Sequence, residues 1–165
     1  MLAGGDRRSI GRSQEAVRLA AKDPGLVPVL VRGLDLGDPI VRMRAADALE
    51  KVTAGQPALL GRHRRRLLTL ACKERQPEVR WHLAQMLPRL RLAAADRAVA
   101  VRILTGYLGD RSRIVRACAL EALGELARTD RLLRRQVLPL VEESVASGSP
   151  AVRARGRQVL KRLVV

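Results

Sequence analysis

The sequence predicts an all-α protein, and three observations carry that prediction. Aromatic residues make up 1% of the 165 residues, namely Trp81 and Tyr107 with no Phe, whereas strands favour aromatic and β-branched side chains. Leu, Ala and Arg dominate instead, and these are strong helix formers. Apolar residues reach 47%, enough for a core and too many for a disordered chain. The length suits one domain.

The elements recur. Four segments align without gaps: Ile40–Leu49, Glu78–Leu87, Ile114–Leu123 and Ala151–Leu160. Each opens on a Val-Arg pair, at Val41, Val79, Val115 and Val152, in steps of 38, 36 and 37 residues. Apolar residues then fall at i, i+4, i+7, i+8 and i+11, one stripe of an amphipathic helix. The stripe runs Val41, Ala45, Ala48, Leu49, Val52 in the first copy and Val79, Leu83, Met86, Leu87, Leu90 in the second. In the third it is Val115, Ala119, Ala122, Leu123, Leu126, and in the fourth Val152, Gly156, Val159, Leu160, Leu163. Gly156 interrupts the last stripe and is expected to permit close packing. Pro88 is expected to kink or end the second of these helices.

A second helix precedes each one, predicted at about 25–34, 60–73, 97–108 and 131–146, with Asp96 and Asp130 as N-caps of the last two. Here Val29, Leu67, Ile103 and Leu140 form one apolar column, and Leu30, Leu68, Leu104 and Val141 another. Gly-, Asp- and Pro-containing links separate the two helices of each pair. Residues 9–23 read as one further helix that covers the first repeat.

A helix, a short turn, a carboxylate and then Val-Arg opening a second helix resembles the HEAT repeat. The resemblance spans about residues 24–163, with repeats at about 24–54, 57–91, 96–128 and 130–163 and a cap helix at 9–23, all within a single domain of residues 1–165. It implies a right-handed α-α superhelix, or solenoid, of about four helix pairs. It also implies a ladder in which the Val-Arg arginines, Arg42, Arg80, Arg116 and Arg153, bond to a carboxylate six residues earlier. Glu74 and Asp110 fill that position, but Leu36 and Ser147 stand there in the first and fourth repeats, with Asp38 near the former.

Several classes find no support. No apolar run approaches the roughly 20 residues that span a bilayer. Arg7, Arg8 and Arg12 precede no apolar stretch of the kind a secretory signal needs. Cys72 and Cys118 form no CxxC pair, and His63 and His82 are isolated from both, so metal-ligand spacing is missing and two reduced cytoplasmic thiols are expected. No glycine-rich phosphate loop occurs. No cofactor, membrane or small-molecule substrate is expected.

The formal charge of +16 invites a nucleic-acid reading. The net charge is +2 for 1–23, 0 for 24–54, +7 for 55–91, +2 for 92–128 and +5 for 129–165. On the second helices, the face opposite the stripe carries Met43, Asp47 and Glu50, then Trp81, Gln85 and Pro88, then Ala117, Glu121 and Gly124, then Ala154, Gln158 and Lys161. In HEAT solenoids this face lines the concave side, which here is near neutral. Arginines lie instead on the first helices (Arg62, Arg65, Arg66, Arg102, Arg131, Arg134, Arg135) or flank the second helices (Arg44, Arg89, Arg155, Arg157, Arg162).

The expected function is a non-catalytic protein-interaction scaffold. A partner segment would lie in a groove formed by Met43, Asp47, Trp81, Gln85 and Glu121, with apolar contact at Trp81 and carboxylates selecting a basic or neutral segment. The alternative is polyanion or nucleic-acid binding through the first-helix arginines, with the scarcity of aromatics opposing base stacking. A further resemblance, to HEAT-like DNA glycosylases, finds Trp81 and Asp47 but no second groove aromatic and a shorter chain. No catalytic constellation is visible.

Overall fold

The computed structural model describes residues 2–3 and 11–164. Among them the secondary structure is helical, with no strand. Arg7 and Arg8, and the Ser9–Ile10 start of the expected cap helix, lie outside the described residues. The helices form two compact units divided between Leu90 and Arg91.

The first unit holds α1 (Ser13–Lys22), α2 (Val27–Gly33), α3 (Pro39–Gly55), α4 (Arg64–Lys73) and α5 (Pro77–Met86). Three 3₁₀ turns join them, at Pro24–Leu26, Pro57–His63 and Leu87–Arg89. α3 packs against α1, α2 and α5, and α4 against α5. The Asp38 side chain starts α3 by accepting from the amides of Ile40 at 2.8 Å and Val41 at 3.4 Å. Pro39 follows at the first helical position, where its missing N–H costs nothing. α5 ends at Met86 and the chain tightens into a 3₁₀ turn through Pro88, which cannot donate to the Ala84 carbonyl.

Two expectations need correcting here. The predicted helix at 25–34 is a 3₁₀ turn followed by the seven-residue α2. Val29, aligned with buried Leu67, is 49% exposed. Within the unit α2 is held by α3 and the turn before it, so its far side faces solvent.

The second unit holds α6 (Ala94–Tyr107), α7 (Arg113–Ala127), α8 (Arg131–Ser147) and α9 (Pro150–Leu163). α7 packs against α6, α8 and α9, and α8 against α9. Asp130 caps α8, accepting from the amides of Leu132 at 3.1 Å and Leu133 at 3.0 Å. Asp96 does not cap α6. Ala93 stands at the N-cap position without a side-chain cap, because Ala94 and Ala95 are strong helix formers and begin the helix two residues before Asp96. Asp96 then sits in the first turn, where a carboxylate still favours the helix dipole.

Most of the repeated stripe is buried in both units; Val41, Leu126 and Leu160 are half-buried. In the second unit the α7–α9 and α8–α9 contacts are close. A Cβ built on Gly156 would stand 2.6 Å from Cγ2 of Val145, and one on Gly124 would stand 2.5 Å from Cγ1 of Val159. Gly124, expected on the open face, therefore lies inside the α7–α9 contact.

In the first unit a polar cluster closes the loop ends. Glu74 is 5% exposed. Its Oε1 accepts from the amides of Arg75 at 2.8 Å and Gln76 at 2.7 Å, and its Oε2 lies 3.7 Å from Nη1 of Arg42. Arg42 donates through Nη2 to Oε1 of Gln76 at 2.9 Å, and Gln76 donates through Nε2 to the Pro39 carbonyl at 2.9 Å. Arg80 donates through Nε to the Glu74 backbone carbonyl at 2.7 Å. In the second unit Asp110 accepts from the Ser112 amide at 2.7 Å, and Nε of Arg116 is buried without a hydrogen-bond partner. Arg153, whose repeat has Ser147 at the carboxylate position, is exposed.

Three stability measurements follow from this packing. Gly156→Ala should cost about 1–3 kcal/mol in urea denaturation, because β-branched Val145 must give way. Glu74→Ala should cost about 1–2 kcal/mol, because two part-buried amides lose their acceptor. The exposed Arg153→Ala should stay within about 0.5 kcal/mol of the parent.

Candidate interaction surfaces

Met43 and Asp47 stand one turn apart on α3, and Trp81 and Gln85 one turn apart on α5. The two helices pack together, and all four side chains are half-buried. Asp47 is the hub of this face. Its Oδ2 accepts from Oγ of buried Ser13 at 3.0 Å and from Nζ of Lys51 at 2.9 Å. Nε2 of His82 lies 3.9 Å from its Oδ1. The Trp81 and His82 rings are 5.6 Å apart at 59°. Asp47 accepts from Ser13 and lies beside the imidazole, so the order differs from a nucleophile–base pair, in which the imidazole faces the hydroxyl.

Neighbouring carboxylates are also paired. Glu50 binds Arg89, whose Nη1 donates to the Glu50 carbonyl at 2.7 Å. Glu121 belongs to the second unit, where it holds Nη1 of Arg155 at 3.2 Å and Nη2 of Arg162 at 2.6 Å. These acids are thus engaged by cations of the chain itself rather than left open to select a basic segment.

The first-helix arginines differ in their freedom. Arg62, Arg65, Arg102, Arg131 and Arg135 are exposed. Arg66 is exposed but paired with Asp35. Arg134 is half-buried and donates through Nη2 to the Arg128 carbonyl at 2.6 Å. Among the flanking arginines, Arg44 is 2% exposed and donates to the Leu2 carbonyl at 2.8 Å. Burial thus removes Arg44 from any anion-binding surface. Arg89, Arg155 and Arg162 are held by the acids just described.

The repeat pattern did not point to one feature. In the second unit α6 and α8 touch little, and an open groove of about 370 Å³ lies between them. Ala98, Val101 and Arg102 of α6 and Leu132 and Leu133 of α8 line it. The only sequence signal is Ala94, Ala98 and Val101 at i, i+4 and i+7, an apolar strip on a second side of α6. In the first unit a smaller hollow of about 120 Å³ is lined by Pro28, Leu59, Arg62 and His63.

Neither Cys72 nor Cys118 forms a disulfide. Among the described residues no three His, Cys, Asp or Glu side chains gather as a metal site, and no helix is long and apolar enough to cross a membrane. No family model matches the chain, and no curated protein matches it.

Burial lowers the His82 imidazole below its ordinary value; Asp47 and Glu50 pull it up and Lys51 pulls it down. Burial, then Arg62 and Arg66, also lower His63. A histidine whose folded pKa is depressed is neutral in both states above about pH 6.5, and below that the unfolded chain takes the proton first. Stability should therefore be full near neutrality and fall as the pH drops below about 6.5. His82→Gln should flatten that fall without abolishing it, because His63 contributes with the same sign. In NMR titrations Asp47→Asn should lower the His82 pKa further. A parent His82 titrating above free histidine would mean that the Asp47 contact outweighs burial.

Proposed function

We propose that the chain is a HEAT-like right-handed α-α superhelix of four helix pairs with α1 as its N-terminal cap, acting as a non-catalytic protein–protein interaction scaffold. A partner segment lies along the face of the second helices that carries Met43, Trp81 and Gln85. The four-fold Val-Arg repeat and the stripe that it heads support the superhelix. Two cysteines outside any disulfide accord with a reducing, cytoplasmic setting. The reading needs no cofactor.

One observation carries the functional part. Trp81 is half-buried on a face where Asp47 and Glu50 are already ion-paired. Burying such a face costs little unpaired charge, and a fixed Trp offers a large apolar contact. Affinity there comes from apolar contact more than from charge.

The chain has one Trp, so its emission reports this face directly. Peptides selected from a random display library should shift Trp81 emission on binding. They should lose about tenfold or more in affinity with Trp81→Ala, and weaken only a few-fold between low and near-physiological salt. Peptides that bind without moving the Trp81 signal would place the partner elsewhere. Duplex DNA that binds with a steep salt slope and is indifferent to Trp81→Ala would favour the polyanion reading.

A further inference from the structure

The groove between α6 and α8 combines three features that are independent of the Trp81 face. Its floor is apolar. α6 brings Ala94, Ala98 and Val101 to it, and both alanines are exposed. Its α8 wall carries Leu132, which is 72% exposed, a large apolar side chain left in water. Its rim is cationic. Arg97 and Arg102 stand on either side of the alanine strip, and Arg135 follows Leu132 by one turn.

The one carboxylate of the lining is spent. Asp130 accepts from the Leu132 and Leu133 amides through Oδ1 and from Nη1 of Arg97 at 3.0 Å through Oδ2. Arg102 is exposed, so the uncompensated charge at the rim is positive. A volume of about 370 Å³ is within the range of sites that accept several side chains or a small ligand.

An apolar trough with a basic rim complements a segment that is apolar on one side and acidic on the other. Helices that lay such a face into a groove anchor at i, i+3 or i+4 and i+7. A nucleic-acid backbone would leave the apolar floor unused, and the lining has no aromatic side chain on which a base could stack. A second copy is disfavoured, because a chain of charge +16 repels itself at a cationic rim. We propose that this groove docks an acidic amphipathic helix of a partner protein, with Leu132 among its apolar side chains and Arg102 facing its carboxylates.

The test uses the full chain and three fluorescein-labelled synthetic 16-residue peptides. One is an amphipathic helix of Leu and Glu, the second replaces every Glu by Lys, and the third replaces every Leu by Ser. Anisotropy should show the Leu/Glu peptide binding about tenfold or more tightly than either of the others. Leu132→Glu should weaken it about tenfold, and Arg102→Glu several-fold. Leu132 and Arg102 are exposed, so both variants should keep the parent's circular dichroism and unfolding midpoint. Trp81→Ala should leave this binding unchanged.

The proposal is overturned if no peptide binds at millimolar concentration, or if the Leu/Glu and Leu/Lys peptides bind alike. It is also overturned if Leu132→Glu and Arg102→Glu leave binding intact, or if sedimentation shows a dimer that Leu132→Glu dissolves. A 20-base-pair duplex that binds more tightly than the Leu/Glu peptide and competes with it would assign the rim to nucleic acid instead.

Discussion

Burial of one apolar stripe on each second helix is the constraint from which the other features of both units follow. The stripe is built largely of Ala, Val and Leu, with Ala45, Ala48, Ala119 and Ala122 buried. Small side chains let helix axes approach, and Gly124 and Gly156 extend that logic to contacts where a Cβ would not fit. A core of this kind has no place for Phe and little for other aromatics, so composition and packing are two views of the same requirement. Close approach also makes such a core sensitive to added atoms, because dense interiors relax little around an extra methyl group.

The same constraint decides where charge can go. With 16 carboxylates against 32 cationic side chains, no more than half the cations can find a separate acid. The acids beside the second helices are taken by nearby bases: Asp47 by Lys51, Glu50 by Arg89, and Glu121 by Arg155 and Arg162. What remains positive lies largely on the first helices and on α9, where Arg153, Arg157 and Lys161 are exposed. A sum over the sequence cannot show this sorting, since Glu121 and Arg155 are 34 residues apart and Arg89 and Glu50 are 39 apart.

What was legible in the sequence was what one helix decides alone. The stripe needs only periodicity, the stop after Met86 needs only Pro88, and the cap at Asp130 needs only a side chain that can fold back on the next turn. Misreadings arose where two local signals compete or where a neighbour decides. Asp96 lost its cap to the helix propensity of Ala94 and Ala95. Val29 shares a column with Leu67, yet the short α2 has too few neighbours to bury it. Arg44 looks like any surface arginine until the Leu2 carbonyl accepts from it and it disappears from solvent. The candidate face around Trp81 was legible as a set of register positions, but the pairing that neutralises it was not.

The first helices follow a weaker rule. In the second unit α7 meets three neighbours, whereas α6 and α8 are each held mainly by second helices and touch one another little. A helix held on one side needs only one apolar side, and the rest should become polar to limit exposed apolar area. α8 mostly obeys, with Arg131, Arg135, Gln136, Glu142 and Glu143 facing water. Leu132 on α8 and the strip of Ala94, Ala98 and Val101 on α6 do not, and the two exceptions face the same groove. Scattered apolar exposure is ordinary on protein surfaces. Apolar residues that converge from two helices, bordered by arginines whose one local carboxylate is already capping a helix, form a surface whose two halves call for the same kind of ligand.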